Sequence, residues 1–205
     1  MKLHKYQEEY LSTMPKSAIM WADVGTGKTI MALEHYRKHG GKRPLLILAP
    51  AAKVKTKDWH REMDNYLGDK KPDDYWVISY DKFARKPEAY MGLDKLCVIA
   101  DECHFICNSQ TQRSKGVRKV VTQADQFIGL SATPLPNGWA SIENYAILFG
   151  LSRNKTEFMQ RFVRIDRSRG FPIVLGYNEE KVLTKFWHTV SRFLDRDGKI
   201  DLREV

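Results

Sequence analysis

A glycine-rich segment near the amino terminus carries residue types that bind nucleotide phosphates. Residues 22–29 read ADVGTGKT, follow an apolar run and precede a helix-compatible stretch, which is the context that a P-loop requires. Its two glycines let backbone N–H groups approach phosphates closely. Lys28 would reach the β- and γ-phosphates, and the Thr29 hydroxyl would bind Mg²⁺. The residues predicted here to bind ATP are Asp23, Val24, Gly25, Thr26, Gly27, Lys28 and Thr29.

Two adjacent acids, Asp101 and Glu102, follow a second apolar run. A charged side chain at the end of a buried strand is costly without a counter-ion, and nucleotide-bound Mg²⁺ would supply one. Asp101 would hold the metal, directly or through water, and Glu102 would orient and deprotonate an attacking water. Lys28, Asp101 and Glu102 are therefore the predicted catalytic residues, with Thr29 and Asp101 as metal ligands. The alternative is a strand end whose acids point into solvent.

The chain has three cysteines, Cys97, Cys103 and Cys107, with no C-x-x-C pair among them. An odd number at these spacings argues against a disulfide framework and fits a reducing compartment. Cys103, His104 and Cys107 could be read as metal ligands, but a fourth ligand at a usual spacing is missing. We therefore favour the magnesium interpretation of this segment.

Short apolar runs alternate with longer helix-compatible segments along the first three quarters of the chain. The runs expected to be buried strands are residues 17–22, 45–49, 76–79, 96–100 and 127–130. This alternation predicts an α/β fold, a mostly parallel sheet with helices on both faces and with ligands at the carboxyl ends of its strands. Residues 1–150 are expected to form the ATP-binding lobe. Residues 151–205 are densely basic at first and without a further strand motif, so we expect a basic helical extension on the same domain, with a turn or hairpin at 170–177.

Length, composition and charge limit the number of domains and the kinds of partner that the chain can have. A chain of 205 residues that is 42% hydrophobic suits one α/β domain. The net charge of +9 favours a polyanionic partner such as nucleic acid, although a merely solvated basic surface is the alternative. The start is polar, and no run approaches the roughly 20 apolar residues of a membrane span. We expect a soluble, cytoplasmic protein with no membrane partner.

Four of these segments occur in a recognisable order. Gln7, residues 22–29, residues 101–104 (DECH) and residues 131–134 (SATP) resemble motifs Q, I, II and III of superfamily 2 helicases and translocases. The chain most resembles the amino-terminal, RecA-like lobe of Swi/Snf-type DNA translocases. Segments similar to that group are LHKYQ at 3–7, WAD at 21–23, the stretch from Pro50 to Trp59, ISYD at 78–81, GLSATPLPN at 129–137 and residues 142–151. The resemblance implies a RecA-like P-loop NTPase fold that uses ATP and Mg²⁺.

The resemblance also implies roles for residues outside the phosphate site. Gln7 would recognise the adenine edge, since an amide both donates and accepts hydrogen bonds. Ser131 and Thr133 would couple the nucleotide state to the nucleic-acid face through hydrogen bonds to the acids at 101 and 102. The alternative for these two hydroxyls is a turn cluster ahead of Pro134.

A nucleic-acid face is implied beside the second strand. Lys53, Lys55 and Lys57 would contact backbone phosphates without reading sequence, unless they form an ordinary solvated face. Tyr80 and Trp59 could stack on bases, although core packing is the favoured role for Trp59. The Swi/Snf-like features favour double-stranded DNA as the partner.

The sequence contains no match to the motifs of a second RecA-like lobe, whose arginines would face the γ-phosphate. We therefore expect a partner lobe, on the same or another chain, to be needed for efficient ATP hydrolysis. Two other functions are considered: a non-catalytic, ATP-gated adaptor that binds nucleic acid or protein, and another P-loop enzyme such as a nucleotide kinase. The kinase lacks recognisable lid arginines and leaves SATP unexplained.

Overall fold

The structure is a computed structural model that describes residues 2–168 and 171–201. Met1, Arg169, Gly170 and residues 202–205 lie outside the described part. The helices are α1 Lys5–Ser12, α2 Lys28–Lys38, α3 Ala51–Lys55, α4 Asp58–Leu67, α5 Tyr80–Ala84, α6 Gln112–Val121, α7 Ile142–Leu148, α8 Lys155–Phe162 and α9 Glu180–Val190. The strands are β1 Ala18–Ala22, β2 Leu45–Ala49, β3 Tyr75–Ser79, β4 Cys97–Asp101, β5 Gln126–Ser131, β6 Val163–Asp166, β7 Ile173–Tyr177, β8 Ser191–Leu194 and β9 Ile200–Asp201.

Seven strands form one sheet in the order β3-β2-β4-β5-β1-β8-β9. Every neighbouring pair is parallel except β8 with β9, which is antiparallel. The five strands predicted from the apolar runs are the first five of this order, and β2 has the predicted bounds. The predicted RecA-like α/β fold is confirmed, and the carboxyl ends of β1, β2, β4 and β5 meet at one edge.

Helices cover both faces of the sheet because its central strands are apolar on both sides. Alternate residues of β2 point to different cores: Leu45 and Ile47 pack with α1, α2 and α4, whereas Leu46 and Leu48 pack with α5 to α9. The first core centres on Tyr10, Tyr36 and Trp59, and the second on Phe83, Tyr145, Phe158 and Trp187. Within residues 2–168 and 171–201, no helix is long and apolar enough to cross a membrane.

The region after residue 150 contains strands as well as the expected helices. Strands β6 and β7 form a hairpin that includes residues 173–177 of the predicted turn, while Gly170 is outside the described residues. Strand β8 then joins the main sheet beside β1, with Ile19 opposite Ser191 and Ala22 opposite Leu194. The expected helical extension with a hairpin is therefore incomplete, because it did not include a strand of the main sheet. Strand β8 is only Ser-Arg-Phe-Leu, too short and too polar to stand out as a buried run.

Candidate nucleotide-binding site

The P-loop connects β1 to α2, as the sequence predicted. Gly25 and Gly27 have φ angles of 87° and 84°, a left-handed backbone that favours glycine. Gly27 is also the residue that caps the amino end of α2. The loop is closed on itself by Thr26, whose Oγ1 donates to the Asp23 carbonyl at 2.8 Å. These features turn the amide groups at the start of α2 towards the edge of the sheet where phosphates would bind.

Lys28 lies folded against the loop that it follows. Its ammonium group donates to the carbonyl oxygens of Ala22 at 2.9 Å and Asp23 at 3.0 Å. Burial is the main reason that the pKa of Lys28 lies below its ordinary value, and the Glu102 carboxylate acts in the opposite direction. A partly desolvated cation whose hydrogen bonds, among the described residues, go to neutral carbonyls is well suited to take a phosphate oxygen as a stronger partner.

Gln7 supports the P-loop from α1. Its Nε2 donates to the Thr26 carbonyl at 2.9 Å, and its Oε1 accepts from the His4 backbone N–H at 2.9 Å. A β-carbon placed on Gly27 would lie 2.5 Å from Gln7 Nε2, so the amide occupies the space that glycine leaves. Recognition of adenine by Gln7 stays a prediction. The structure adds a role as a support for the loop.

Asp101 ends β4 with its side chain almost completely buried and with three different donors around it. Trp59 Nε1 donates to Oδ2 at 2.9 Å, and the Lys53 ammonium lies 2.8 Å from Oδ2 and 3.1 Å from Oδ1. The Tyr80 hydroxyl donates to the Asp101 carbonyl at 2.8 Å. The residue predicted to hold magnesium is therefore fixed at both its backbone and its carboxylate.

Glu102 has a left-handed backbone, with φ of 53°, which is uncommon for a residue with a β-carbon. This conformation turns its side chain away from the strand. Its carboxylate is 29% exposed, compared with 3% for that of Asp101. It has His104 Nδ1 at 3.4 Å and the Lys53 ammonium at 4.0 Å. Of the two acids, Glu102 is the one that water can reach.

The donor set fits magnesium rather than a metal held by the protein alone. Thr29 at the start of α2 and Asp101 supply hydroxyl and carboxylate oxygens, the hard ligands that Mg²⁺ prefers, and nucleotide phosphates and water usually complete its shell. Among residues 2–168 and 171–201, no group of three or more His, Cys, Asp or Glu could hold a metal ion. The alternative of a site at Cys103, His104 and Cys107 is therefore not supported. Burial also raises the pKa of the Cys103 thiol to about 12, which disfavours the thiolate that binds metals.

Ser131 connects the loop after β5 to the loop after β4, although not through the acids as predicted. Its Oγ lies 3.1 Å from His104 Nδ1 and accepts from the Thr133 backbone N–H at 3.0 Å. The expected contact with Asp101 or Glu102 is absent from the described hydrogen bonds. His104 Nδ1 instead lies between the two, 3.4 Å from the Glu102 carboxylate. The Thr133 side chain is exposed, so a coupling role for its hydroxyl stays a prediction.

Two residues that sequence reasoning did not assign to the site hold the 131–134 loop. Trp21 Nε1 donates to the Ala132 carbonyl at 3.0 Å. The Tyr145 hydroxyl is within hydrogen-bonding distance of the carbonyls of Pro134, at 3.2 Å, and Cys103, at 3.0 Å. No motif signals these contacts, since Tyr145 lies 42 residues from Cys103 in the chain.

The predicted nucleic-acid residues separate into two groups. Lys55 and Lys57, at the end of α3 and just after it, are exposed. Lys53 instead binds Asp101, as described above. Tyr80 is only 3% exposed and its hydroxyl is used by Asp101, so its ring cannot stack on a base in this conformation and we remove it from the predicted interface. Trp59, at 1% exposure, packs in the core as favoured.

Comparison with known proteins gives a match over most of the chain. The family model described as "Type III restriction enzyme, res subunit" matches residues 1–135. That range includes the P-loop, both acids and the 131–134 loop.

Individual relatives agree with that match. The chain is 29% identical over 174 residues to the "Uncharacterized ATP-dependent helicase YqhH" of Bacillus subtilis, covering 77% of this chain and 30% of the relative. It is 28% identical over 130 residues to the SWI/SNF-related matrix-associated actin-dependent regulator of chromatin subfamily A-like protein 1 of Xenopus tropicalis, covering 55% and 13%. The chain thus spans less than a third of the length of these relatives.

A solved structure has the same fold. The Sulfolobus solfataricus SWI2/SNF2 ATPase core in complex with dsDNA superposes with a TM-score of 0.73 at 19% sequence identity. The match covers 96% of this chain and 45% of that one. At this identity the likeness concerns the fold, and nearly all of this chain matches less than half of that one.

Proposed function

The chain belongs to the family described as the res subunit of type III restriction enzymes, as an amino-terminal RecA-like lobe of the Swi/Snf type in superfamily 2, and on this premise we propose that it is the ATP-binding half of an ATP-driven DNA translocase or helicase. The observation that carries the proposal is the meeting of Lys28, Asp101, Glu102 and the His104–Ser131 contact at one edge of the sheet. Such an arrangement places a phosphate site next to the loop after β5, with His104 and Ser131 between them.

Each residue of the edge has a part in the proposed reaction. Lys28 leaves the carbonyls of its own loop and binds the β- and γ-phosphates, while Thr29 and Asp101 hold Mg²⁺. The metal, when bound, neutralises charge that develops on the phosphate oxygens. Glu102, the more exposed acid, orients the attacking water and accepts its proton. Gln7 keeps the loop in place and recognises the base.

The proposed DNA contact begins at α3. Lys55 and Lys57 are exposed and could bind backbone phosphates, and Lys53 would join them if Asp101 held Mg²⁺ instead of the lysine. Contacts of this kind set affinity without reading base sequence. We propose double-stranded DNA as the partner, and a second RecA-like lobe as the source of arginines that complete the site.

The nucleotide site is tested by calorimetry with ATP and Mg²⁺. Lys28→Ala should weaken ATP binding by about tenfold to a hundredfold, the range expected when a charge-assisted contact is lost. Lys38→Ala, at the exposed carboxyl end of the same helix, is the matched control and should bind normally. Circular dichroism verifies that both variants are folded. Unchanged ATP affinity in the Lys28 variant would remove this site from the proposal.

The DNA contact is tested separately by fluorescence anisotropy with a labelled duplex. Affinity should fall steeply as salt rises, because each neutralised phosphate releases counterions. Lys55→Glu with Lys57→Glu should weaken binding to duplexes of any sequence. Affinity that does not respond to salt, or to this double change, would contradict the proposed interface.

A further inference from the structure

The hairpin formed by β6 and β7 exposes large apolar side chains. Phe171, just before β7, is 64% exposed, and Val174 and Leu175 within β7 are 50% and 64% exposed. These are three of the five large hydrophobic residues that stand exposed in the described part of the chain. A bulge between Arg164 and Ile165 interrupts the pairing beside them. An isolated two-stranded ribbon with this much apolar surface is a candidate for an interaction site.

The same hairpin carries cations that its surroundings do not neutralise. Arg164 and Arg167 are exposed, and within the described residues neither has an acidic partner. The acid between them, Asp166, accepts from the Ser168 backbone N–H at 2.8 Å. Basic residues on the preceding helix differ, since Arg161 pairs with Glu179 at 3.0 Å and Lys155 with Glu143 at 3.4 Å. The hairpin arginines therefore differ from Lys155 and Arg161 of α8 in having no ion-pair partner among the described residues.

Arg164 lies opposite a glycine in the hairpin, and its side chain uses the space that the glycine leaves. Its Nη2 atom would lie 2.6 Å from a β-carbon at Gly176, the residue opposite it in the ladder. The missing side chain at Gly176 thus leaves room for the guanidinium to lie across the ribbon. A groove of about 540 Å³ runs between this ribbon and α8, with Met159, Ile165 and Pro172 in its walls and Arg167 at its margin.

We propose that this hairpin is a second nucleic-acid contact of the lobe, in which Arg164 and Arg167 bind backbone phosphates and Phe171 stacks on an unpaired base. Charge complementarity selects the partner: two uncompensated guanidinium groups match phosphates. The exposed ring beside them matches the face of a base, the combination found in proteins that bind single strands. The inference rests on the proposed function and extends it, since it adds an unpaired strand beside the duplex to the DNA that the lobe would bind.

A forked duplex with unpaired arms is the probe that presents both chemistries. Changing Arg164 and Arg167 to Gln should lower the affinity of the full 205-residue chain for the fork, and should reduce the slope of log affinity against log salt by about two. Phe171→Ala should weaken binding to the fork by about tenfold, as expected for one base-stacking contact. It should leave binding to a fully paired duplex unchanged.

A matched control removes two exposed charges elsewhere. Lys38→Gln with Lys70→Gln changes the net charge equally. Lys38 is the last residue of α2 and Lys70 follows α4, so both lie towards the opposite edge of the sheet from the P-loop. This variant should keep most of the affinity. The hairpin proposal is overturned if wild type binds the fork while the arginine variant and Phe171→Ala bind as wild type does. If wild type binds no DNA at all, the proposed function and the hairpin proposal both fail.

Discussion

Lys53 and Asp101 form an ion pair, with the ammonium 2.8 Å from Oδ2 and 3.1 Å from Oδ1 of the carboxylate. The lysine predicted to bind DNA thus neutralises the acid predicted to bind magnesium. A buried carboxylate needs a cation, and Mg²⁺ would replace this one. Because a released Lys53 could then bind phosphate on DNA, nucleotide and DNA would each favour the binding of the other, as linkage requires.

Removing Lys53 should make the magnesium site easier to fill. Lys53→Ala leaves Asp101 without its cation, so the unliganded protein should melt at a lower temperature, while Mg²⁺ and ATP should raise its melting temperature by more than they do in wild type. Lys55→Ala, the exposed lysine two residues on, should behave like wild type. Differential scanning fluorimetry across a magnesium series measures both effects. An equal shift in the two variants would show that Lys53 does not compete with the metal.

Trp59 should affect the metal site through its indole N–H group and not only through the space that its ring fills. Trp59→Phe removes the N–H that binds Asp101 Oδ2, so we expect ATP–magnesium affinity to fall by about tenfold, the loss for one hydrogen bond to a charged group. Trp187→Phe is the matched control, because Trp187 is equally buried and its Nε1 has no partner within the described residues. Both changes should lower stability. Isothermal titration should separate them, and similar ATP affinities would refute the positioning role of Trp59.

Gln7→Glu tests the support of the P-loop with almost no change in shape. The new carboxylate places an acceptor against the Thr26 carbonyl, where Nε2 now donates at 2.9 Å. An unmet hydrogen bond between two acceptors costs about 1–3 kcal/mol, so ATP affinity should fall by about tenfold or more. Gln112→Glu, on the exposed start of α6, is the control. Fluorescence titration with a labelled ATP analogue would show the difference, and equal affinities would count against the role of Gln7.

His35 should make the fold sensitive to mild acid. It is fully buried, and burial, aided by nearby His39, lowers the pKa of His35 from 6.5 to about 4. Its Nε2 lies 3.0 Å from the Pro15 carbonyl and its Nδ1 is unpartnered among the described atoms, so the neutral form fits. Between pH 6.5 and 4 the unfolded chain binds the extra proton. Stability therefore falls as pH drops through that window, by at most about 3 kcal/mol.

The His35 effect is isolated by comparison with a variant that does not titrate. His35→Gln keeps a donor in the region of Nε2, and urea melts at pH 7 and pH 5 should show a smaller loss of stability in the variant than in wild type. Parallel losses would assign the acid sensitivity to carboxylates elsewhere.

Hydrolysis by the chain alone should be slow. This lobe supplies one wall of the phosphate site, whereas an arginine provided from the other side is worth about 10³–10⁵ in rate in well-studied NTPases. Steady-state ATP hydrolysis should therefore be near background with or without duplex DNA, beside a Glu102→Gln control. Rapid, DNA-stimulated turnover that Glu102→Gln abolishes would mean that the chain completes its own site.

The sequence predicted the parts of this molecule that follow from local patterns. An apolar run bounded by Pro44 and Pro50 indicated β2 from Leu45 to Ala49. The glycines and Lys28 identified the P-loop. Both features are encoded within about ten consecutive residues. The order of the strands in the sheet is a property of the whole chain and came only from the structure and the family resemblance.

The contacts that hold the site together were beyond the sequence. Trp59 is 42 residues from Asp101, and Ser131 is 27 residues from His104, so no spacing rule connects them. Their pairing depends on which loops meet at the edge of the sheet. For Tyr80 the sequence suggested a contact that the structure does not allow. An aromatic residue after a strand suggested stacking on bases, but the Tyr80 hydroxyl donates to a backbone carbonyl in the core.

Strand β8, residues 191–194, is joined by hydrogen bonds to the residues that form and support the nucleotide site. The Asp23 N–H donates to the Leu194 carbonyl at 2.9 Å, and the Tyr10 hydroxyl donates to the Arg192 carbonyl at 2.8 Å. A fragment that ended at residue 150 would lose this strand, and β1 would become an open edge with unpaired amides, the kind of edge that recruits other chains. A fragment that keeps the β1 edge paired therefore extends through Leu194, and a displacement of β8 would act directly on Asp23 of the P-loop.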